Sequence, residues 1–355
     1  MKQRNNSIDA MKGIAITLVV LGHVFVHNQM EDRYVYDFIK VVQMPLFIII
    51  SGYLCGQGRK ITDIKCYGKV LAKRAIAYLV PFFVWLTIMH PGNLLEAYQT
   101  IFFQLDYGLW FLAVLFVLTF MVYTAQLAAA AFREKRPKVS ELVFWGFYGV
   151  FCMLLVFQIF IGNTFLSPYL VIIYVPFYMM GYVVGNYGKR YLCWGESIPG
   201  KIDCKNNVTL RRELLVAVML LVFFIAKRNL NSMNTKAEII IQMLCSVFGC
   251  GAIIYGVLWW NDQSKIKNIF AKIGEYTLEI YVIHYHFANM LNFNQKEYEF
   301  YTIEGFLFVI ASFVAMSAVT FVTIWLLKKV KLLDFLLFGR SCKKHEIRRS
   351  DSINH

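Results

Sequence analysis

Histidines inside apolar stretches are the residues of this 355-residue sequence best suited to chemistry. Imidazole exchanges protons near neutral pH, and an ionisable side chain within a membrane helix is costly unless it is paired or faces a cavity. His23 lies in the first apolar stretch, and Lys12 precedes it by eleven residues, about three helical turns. The two side chains therefore share one helix face, which His27 continues one turn further along. This face predicts a proton-transfer site.

A second histidine stands at a similar depth in a late apolar stretch. Thr277, Tyr281 and His284 recur at helical spacing and form one stripe, whereas Glu279 and His286 lie on the opposite face. Counted from the inner end of its stretch, His284 reaches nearly the depth of His23, so the two rings could meet in one buried cavity. The alternative is that each histidine only hydrogen-bonds to a neighbouring helix.

The elements that position these residues are predicted to be membrane-spanning helices. Apolar residues make up 58% of the sequence and the mean hydropathy is +0.53, above what an ordinary soluble domain carries. A span needs about 20 mostly apolar residues. The sequence predicts ten spans, of which the seventh is the weakest: 10–29, 36–57, 70–90, 107–131, 142–161, 168–187, 211–227, 237–260, 273–292 and 303–328.

The positive charge of the chain follows from this topology. The net charge is +14. With ten spans, 30 of the 36 Lys and Arg residues fall on one side of the membrane, and only six fall on the other side, at 33, 40, 227, 228, 236 and 296. Cytoplasmic loops carry the excess of Lys and Arg. The predicted fold is therefore an all-α integral membrane protein of about ten transmembrane helices with both termini in the cytoplasm. Nucleic acid is excluded as the partner that explains the charge.

Domain organisation is predicted to be simple. Residues 1–328 form one multi-helix membrane domain, in which the first stretch stays as a helix because it shows no signal-peptide cleavage site. Residues 329–355 form a basic cytoplasmic tail, where the segment from Lys331 to Phe338 is either a short interfacial helix or a simple helix end. The eight cysteines show no CxxC pair and no zinc spacing, so no metal site is expected.

Several motifs, in order along the chain, resemble the acyltransferase-3 family of membrane O-acyltransferases. The segment from Arg4 to His23 resembles the family's opening, in which a basic residue precedes a histidine by eleven positions. Further similar segments are Met44 to Tyr53, the basic stretch Lys69 to Pro81, Tyr107 to Leu112, and Gly274 to His284. The stretch around Trp110 resembles the branch related to fucose O-acetylases.

The resemblance implies a reaction and its substrates. An acyl group, typically acetyl, moves from cytoplasmic acyl-coenzyme A to a hydroxyl of a surface or lipid-linked glycan. Acetyl-coenzyme A is then a donor substrate, no cofactor is bound permanently, and membrane lipid surrounds the chain. The implied location is the cell membrane, as a multi-pass protein of a bacterial inner or plasma membrane.

Roles for individual residues follow from the resemblance. His23 is expected to be the general base or a transient acyl carrier, with His284 and Tyr281 orienting the acceptor or donating to the oxyanion. Lys12, Lys73 and Arg74 are expected to hold the donor's phosphates. Lys12 departs from the arginine usual at its position and lacks that residue's planar fork. Trp110 is expected to stack on a sugar ring, or otherwise only to anchor the membrane interface.

Two other classes of function compete with this reading. A proton-coupled transporter or flippase for a glycan or small solute also uses buried histidines, although no inverted repeat is evident in the sequence. A structural or sensor protein would give no function to the paired histidines or to the Lys and Arg residues at the cytoplasmic boundary. Release of coenzyme A separates the enzyme from the carrier.

Overall fold

The fold is seen in a computed structural model. It describes residues 5–30, 34–191, 214–225 except 216 and 223, 236–261, 263–288, 290–291 and 298–339. Regular structure in these residues is helical throughout, with two 3₁₀ turns at Leu105–Tyr107 and His284–Phe287. The helices are α1 Asn6–His27, α2 Tyr34–Gly56, α3 Ile64–Met89, α4 Leu94–Ile101, α5 Trp110–Ala130, α6 Pro137–Phe160, α7 Pro168–Tyr191, α8 Lys236–Trp259, α9 Lys265–Gly274, α10 Thr277–Ile283, α11 Ile303–Leu327 and α12 Lys331–Phe338.

The helices confirm an integral membrane protein. Eight helices of the described part are long and apolar enough to cross a membrane. Helix α6 shows why lipid must be their solvent, since its exposed side chains include Leu142 at 73%, Met153 at 75% and Phe160 at 85%. Such a continuous apolar surface is stable in hydrocarbon and would associate in water.

Eight of the ten predicted spans coincide with these long helices. The seventh, 211–227, lies partly outside the described residues. The ninth, 273–292, differs from the prediction because the chain leaves the helix at Glu275 and Tyr276 and resumes as α10 and a 3₁₀ turn. Lys272, Gly274 and Glu275 place two charges and a helix-weakening glycine at this break.

The chain divides into two compact units. Unit 1 comprises Met1–Ile50 and Asn186–Ile324, and unit 2 comprises Ser51–Gly185 and Trp325–His355. The segment after the last long helix belongs to unit 2, where the indole Nε1 of Trp85 donates a hydrogen bond of 3.1 Å to the carbonyl of Leu337. Phe338 is fully buried there, so α12 packs as part of the helical unit.

Helix α1 organises unit 1. Asn5 caps it by accepting hydrogen bonds from the amides of Ser7 and Ile8, and Asp9 in the first turn complements the positive end of the helix dipole. Farther along, α1 packs closely against α9. A Cβ on Gly13 would overlap the carbonyl of Phe270, and a Cβ on Gly274 would overlap the carbonyl of Asp9. Two glycines therefore set this helix spacing.

Replacing Gly274 with alanine is expected to destabilise the protein by about 1–3 kcal/mol, the usual cost of overpacking, because backbone atoms cannot yield as a side chain can. Thermal unfolding of the detergent-purified protein measures this. Gly251→Ala in α8 is the matched control, since a Cβ there meets nothing within 4 Å and alanine favours a helix. Equal melting temperatures for the two variants would contradict the packing argument.

Candidate active site

Three aromatic side chains surround His23 in unit 1. Its ring centroid lies 5.0 Å from that of His284, 5.3 Å from Tyr285 and 6.0 Å from His27. The ring of His27 lies 5.0 Å from Tyr285. His23 and His27 come from one face of α1, whereas His284 and Tyr285 come from the 3₁₀ turn after α10. The structure thus brings together the two histidines that the sequence placed at similar depth.

His284 is held in one orientation by its own helix. Its side chain is 1% exposed, and its Nδ1 lies 2.8 Å from the carbonyl oxygen of Ile280. Because a carbonyl only accepts, Nδ1 must carry the proton of this bond. In the neutral ring Nε2 is then the atom with a free lone pair. That Nε2 is buried and has no hydrogen-bond partner among the described residues.

His23 also presents an unused nitrogen. Its Nδ1 is buried without a hydrogen-bond partner in the described part of the chain. Val20 and Val24, on either side of it in sequence, belong to the apolar core of unit 1 together with Phe25 and Met30. Buried polar atoms are normally satisfied, and leaving one unpaired costs about 1–3 kcal/mol. Two such nitrogens on adjacent rings indicate a site that a ligand completes.

Sequence reasoning missed Tyr285, a member of this cluster, and Gln43, which packs beside the residue that precedes His23. Tyr285 follows His284 and would point elsewhere on a regular α-helix, but the tighter 3₁₀ turn brings it against His23. Gln43 of α2 lies over Gly22, where a Cβ would come within 2.8 Å of its Oε1. Tyr281 is farther from the centre of the cluster, with its ring centroid 6.2 Å from that of His284. The position of Tyr285 beside His23 could have been predicted only by first predicting the break in the ninth span.

Arg74 lies in unit 2 among hydroxyl and thiol groups. Its guanidinium donates a 3.2 Å hydrogen bond to the hydroxyl of Tyr78 and also bonds Tyr123, with Cys55 nearby. Its described partners are neutral. Ionisable groups inside membrane helices pair with one another, bond to backbone carbonyls or face a cavity, and they mark substrate pathways, so this guanidinium is a candidate for binding an anionic ligand. Lys73, its neighbour in sequence, is exposed.

The other two predicted site residues already have partners. Lys12 pairs with Asp9 in unit 1, where Nζ and Oδ1 are 3.3 Å apart, and its side chain is 25% exposed. Trp110 in unit 2 stacks on Tyr174, with ring centroids 5.4 Å apart and planes inclined by 22°. One indole face is therefore occupied by protein. Within the described residues no three His, Cys, Asp or Glu side chains converge on a possible metal position.

The variant His284→Asn tests whether the Nε2 lone pair of His284 is needed, apart from the hydrogen bond that orients the side chain. An asparagine amide can keep the donation to the Ile280 carbonyl but lacks the Nε2 lone pair. We expect a folded protein whose catalytic turnover falls about 10²-fold, because the lone pair that can accept a hydrogen bond in the site is lost. Turnover is measured at matched protein level, and full activity of this variant would assign His284 to packing.

Fold and site define a multi-spanning helical membrane protein that carries a buried histidine pair. The family described as "Acyltransferase domain" matches residues 5–327. This match covers the histidine pair and nearly every described helix, and the chain belongs to that family.

Two relatives share shorter segments. The nodulation protein NolL of Sinorhizobium fredii is 31% identical over 97 residues, which is 26% of this chain and 26% of the relative. The nodulation protein NolL of Mesorhizobium japonicum is 35% identical over 92 residues, 24% of each chain. The matches thus span about a quarter of the relatives' length. No solved structure matches the chain significantly.

Proposed function

We propose that this protein is a membrane O-acyltransferase that moves an acyl group, preferentially acetyl, from acyl-coenzyme A to a hydroxyl of a surface or lipid-linked glycan. The observation that carries the proposal is the pair of His23 and His284, whose rings lie 5.0 Å apart with an unpaired buried nitrogen on each. A sugar hydroxyl is a poor nucleophile at neutral pH. It needs a positioned base, which imidazole supplies.

His23 is assigned the role of base. The acceptor hydroxyl oxygen attacks the thioester carbonyl while an imidazole nitrogen takes the hydroxyl proton. The C–S bond of the resulting tetrahedral intermediate then breaks, and the proton passes from the imidazolium to the departing thiolate of coenzyme A. Every proton is accounted for, and the histidine returns to its neutral form.

His284 is assigned a role as acceptor. Because Nδ1 donates to Ile280, the neutral ring can accept at Nε2 but cannot donate there. It is therefore suited to orienting the acceptor hydroxyl or the N–H of His23. Stabilisation of the oxyanion falls instead to a donor such as the Tyr281 hydroxyl, whose ring lies 6.2 Å from His284.

Arg74 is assigned to an anionic group of the donor, since its described partners are neutral phenols. A guanidinium binds phosphate with two parallel hydrogen bonds. Lys73, its exposed neighbour in sequence, adds charge. Trp110 is assigned to stack on a sugar ring with the indole face opposite Tyr174. Each of these roles rests on the residue's own surroundings in unit 2.

The donor is proposed to arrive from the cytoplasm. The basis is the distribution of Lys and Arg, which predicts both termini on that side. A bacterial inner or plasma membrane would supply acyl-coenzyme A on one face and glycan acceptors on the other.

Release of free thiol from acetyl-coenzyme A in membranes containing the protein tests the proposal. We expect release that depends on an added glycan acceptor. Movement of an unmodified solute without thiol release would favour a transporter instead.

A further inference from the structure

An open cleft lies at the foot of α1 in unit 1. Its volume is about 450 Å³, and its lining comprises Asn6, Asp9, Asn268, Ala271, Lys272 and Glu275. One wall is the first turn of α1 and the other is α9. The amide of Asn6 donates a 2.9 Å hydrogen bond to Oδ1 of Asn268 across it. None of these lining residues was singled out from the sequence as a ligand-binding residue.

The lining is chemically mixed, which restricts what can bind. Asp9 is already paired with Lys12, so its carboxylate adds little net charge. Lys272 supplies an exposed cation, and Glu275 supplies a carboxylate near it. A bare polyphosphate would be repelled by that carboxylate. A nucleoside that carries phosphate fits better, because carboxylates accept from ribose hydroxyls and asparagine amides pair with the adenine edge.

The position of the cleft relative to His23 supports this assignment. Of the α1 residues in the cleft lining, Asp9 lies about 40° and Asn6 about 100° from His23 on the helix wheel, so the cleft opens beside the face that carries His23. Asp9 precedes His23 by fourteen residues, which is about 21 Å along the helix axis. An extended phosphopantetheine arm is comparable in length.

We propose that this cleft binds the adenosine 3′-phosphate end of the acyl-coenzyme A donor, with Asn6 and Asn268 on the adenine, Glu275 on the ribose and Lys272 on the phosphate. The inference rests on the proposed function and deepens it, since it names the part of the donor that each side chain recognises.

Donor truncation tests the assignment. Asn268→Ala and Lys272→Ala are compared with wild type on acetyl-coenzyme A and on acetyl-pantetheine, which lacks the nucleotide. We expect the KM for acetyl-coenzyme A to rise about tenfold in each variant, the change in affinity that loss of one hydrogen bond typically causes. The kinetics with acetyl-pantetheine should stay unchanged. Unchanged acetyl-pantetheine kinetics also show that the variants fold. Gln263→Ala is the amide control, since Gln263 is exposed on the neighbouring loop outside the cleft lining.

A parallel rise in KM for both donors, or no rise for acetyl-coenzyme A, would overturn the nucleotide site while leaving the acyl transfer intact. Adenosine 3′,5′-bisphosphate should compete with acetyl-coenzyme A for the wild type and about tenfold more weakly for Asn268→Ala. Absence of thiol release from either donor in the wild-type protein overturns the proposed function and this inference with it.

Discussion

Turnover of the acyl transfer is expected to fall about 10²- to 10⁴-fold when His23 is replaced by alanine, the range typical of a general base. The imidazole nitrogen that takes the hydroxyl proton is then lost, whereas His284, whose Nδ1 donates to the Ile280 carbonyl, is assigned to orienting the acceptor through Nε2. The measurement is acceptor-dependent thiol release in membranes with matched protein levels.

His90→Ala is the control for this variant. His90 ends α3 in unit 2, where its ring stacks on Tyr107 at 4.4 Å, and it has no part in the proposed chemistry. Its loss should leave turnover near the wild-type value. Unchanged activity in His23→Ala would remove His23 from the reaction. An equal loss in both variants would indicate a general sensitivity to histidine replacement.

Replacing Arg74 with glutamine is expected to raise the KM for acetyl-coenzyme A by about ten- to 100-fold, because a charge-assisted hydrogen bond to phosphate is worth about 1.5–3 kcal/mol. Arg74→Lys should recover only part of this loss, since an ammonium cannot form the two-pronged contact. The Michaelis constants come from initial rates over a range of donor concentrations.

Thermal stability distinguishes a ligand-binding arginine from a structural one. Breaking a buried ion pair leaves an uncompensated charge and destabilises by about 3–5 kcal/mol. Because the described partners of Arg74 are neutral, Arg74→Gln removes a charge that had no anion and should melt at or above the wild-type temperature. Lys65→Ala, exposed near the start of α3, is the surface-charge control. A large fall in melting temperature with an unchanged KM would make Arg74 structural.

Much of the fold could be predicted because the membrane simplifies it. Backbone groups in hydrocarbon must be satisfied within a helix, so apolar runs of sufficient length locate helices directly. Eight of the predicted spans match long helices of the described part. Depth counted along two of the predicted spans placed His23 and His284 at one level, and the structure puts their rings 5.0 Å apart.

What could not be predicted depends on tertiary contacts. The close approach of Gly274 to the Asp9 carbonyl depends on how α1 and α9 pack, and hydropathy carries no sign of that packing. Tyr78, four residues after Arg74, could have been foreseen as its neighbour. Tyr123 could not, because it is about fifty positions away in sequence and reaches Arg74 only through packing of α3 against α5. By contrast, the pairing of Lys12 with Asp9 could have been foreseen, since residues three apart are neighbours on a helix.

The most direct test of the central claim compares, by mass spectrometry, surface glycans from cells with the wild-type protein and cells with His23→Ala at equal abundance. The account predicts that wild-type glycans carry an added acyl group, expected to be acetyl, which the variant's glycans lack. Identical glycan masses in the two cell lines, together with full transport of an unmodified solute, would contradict it.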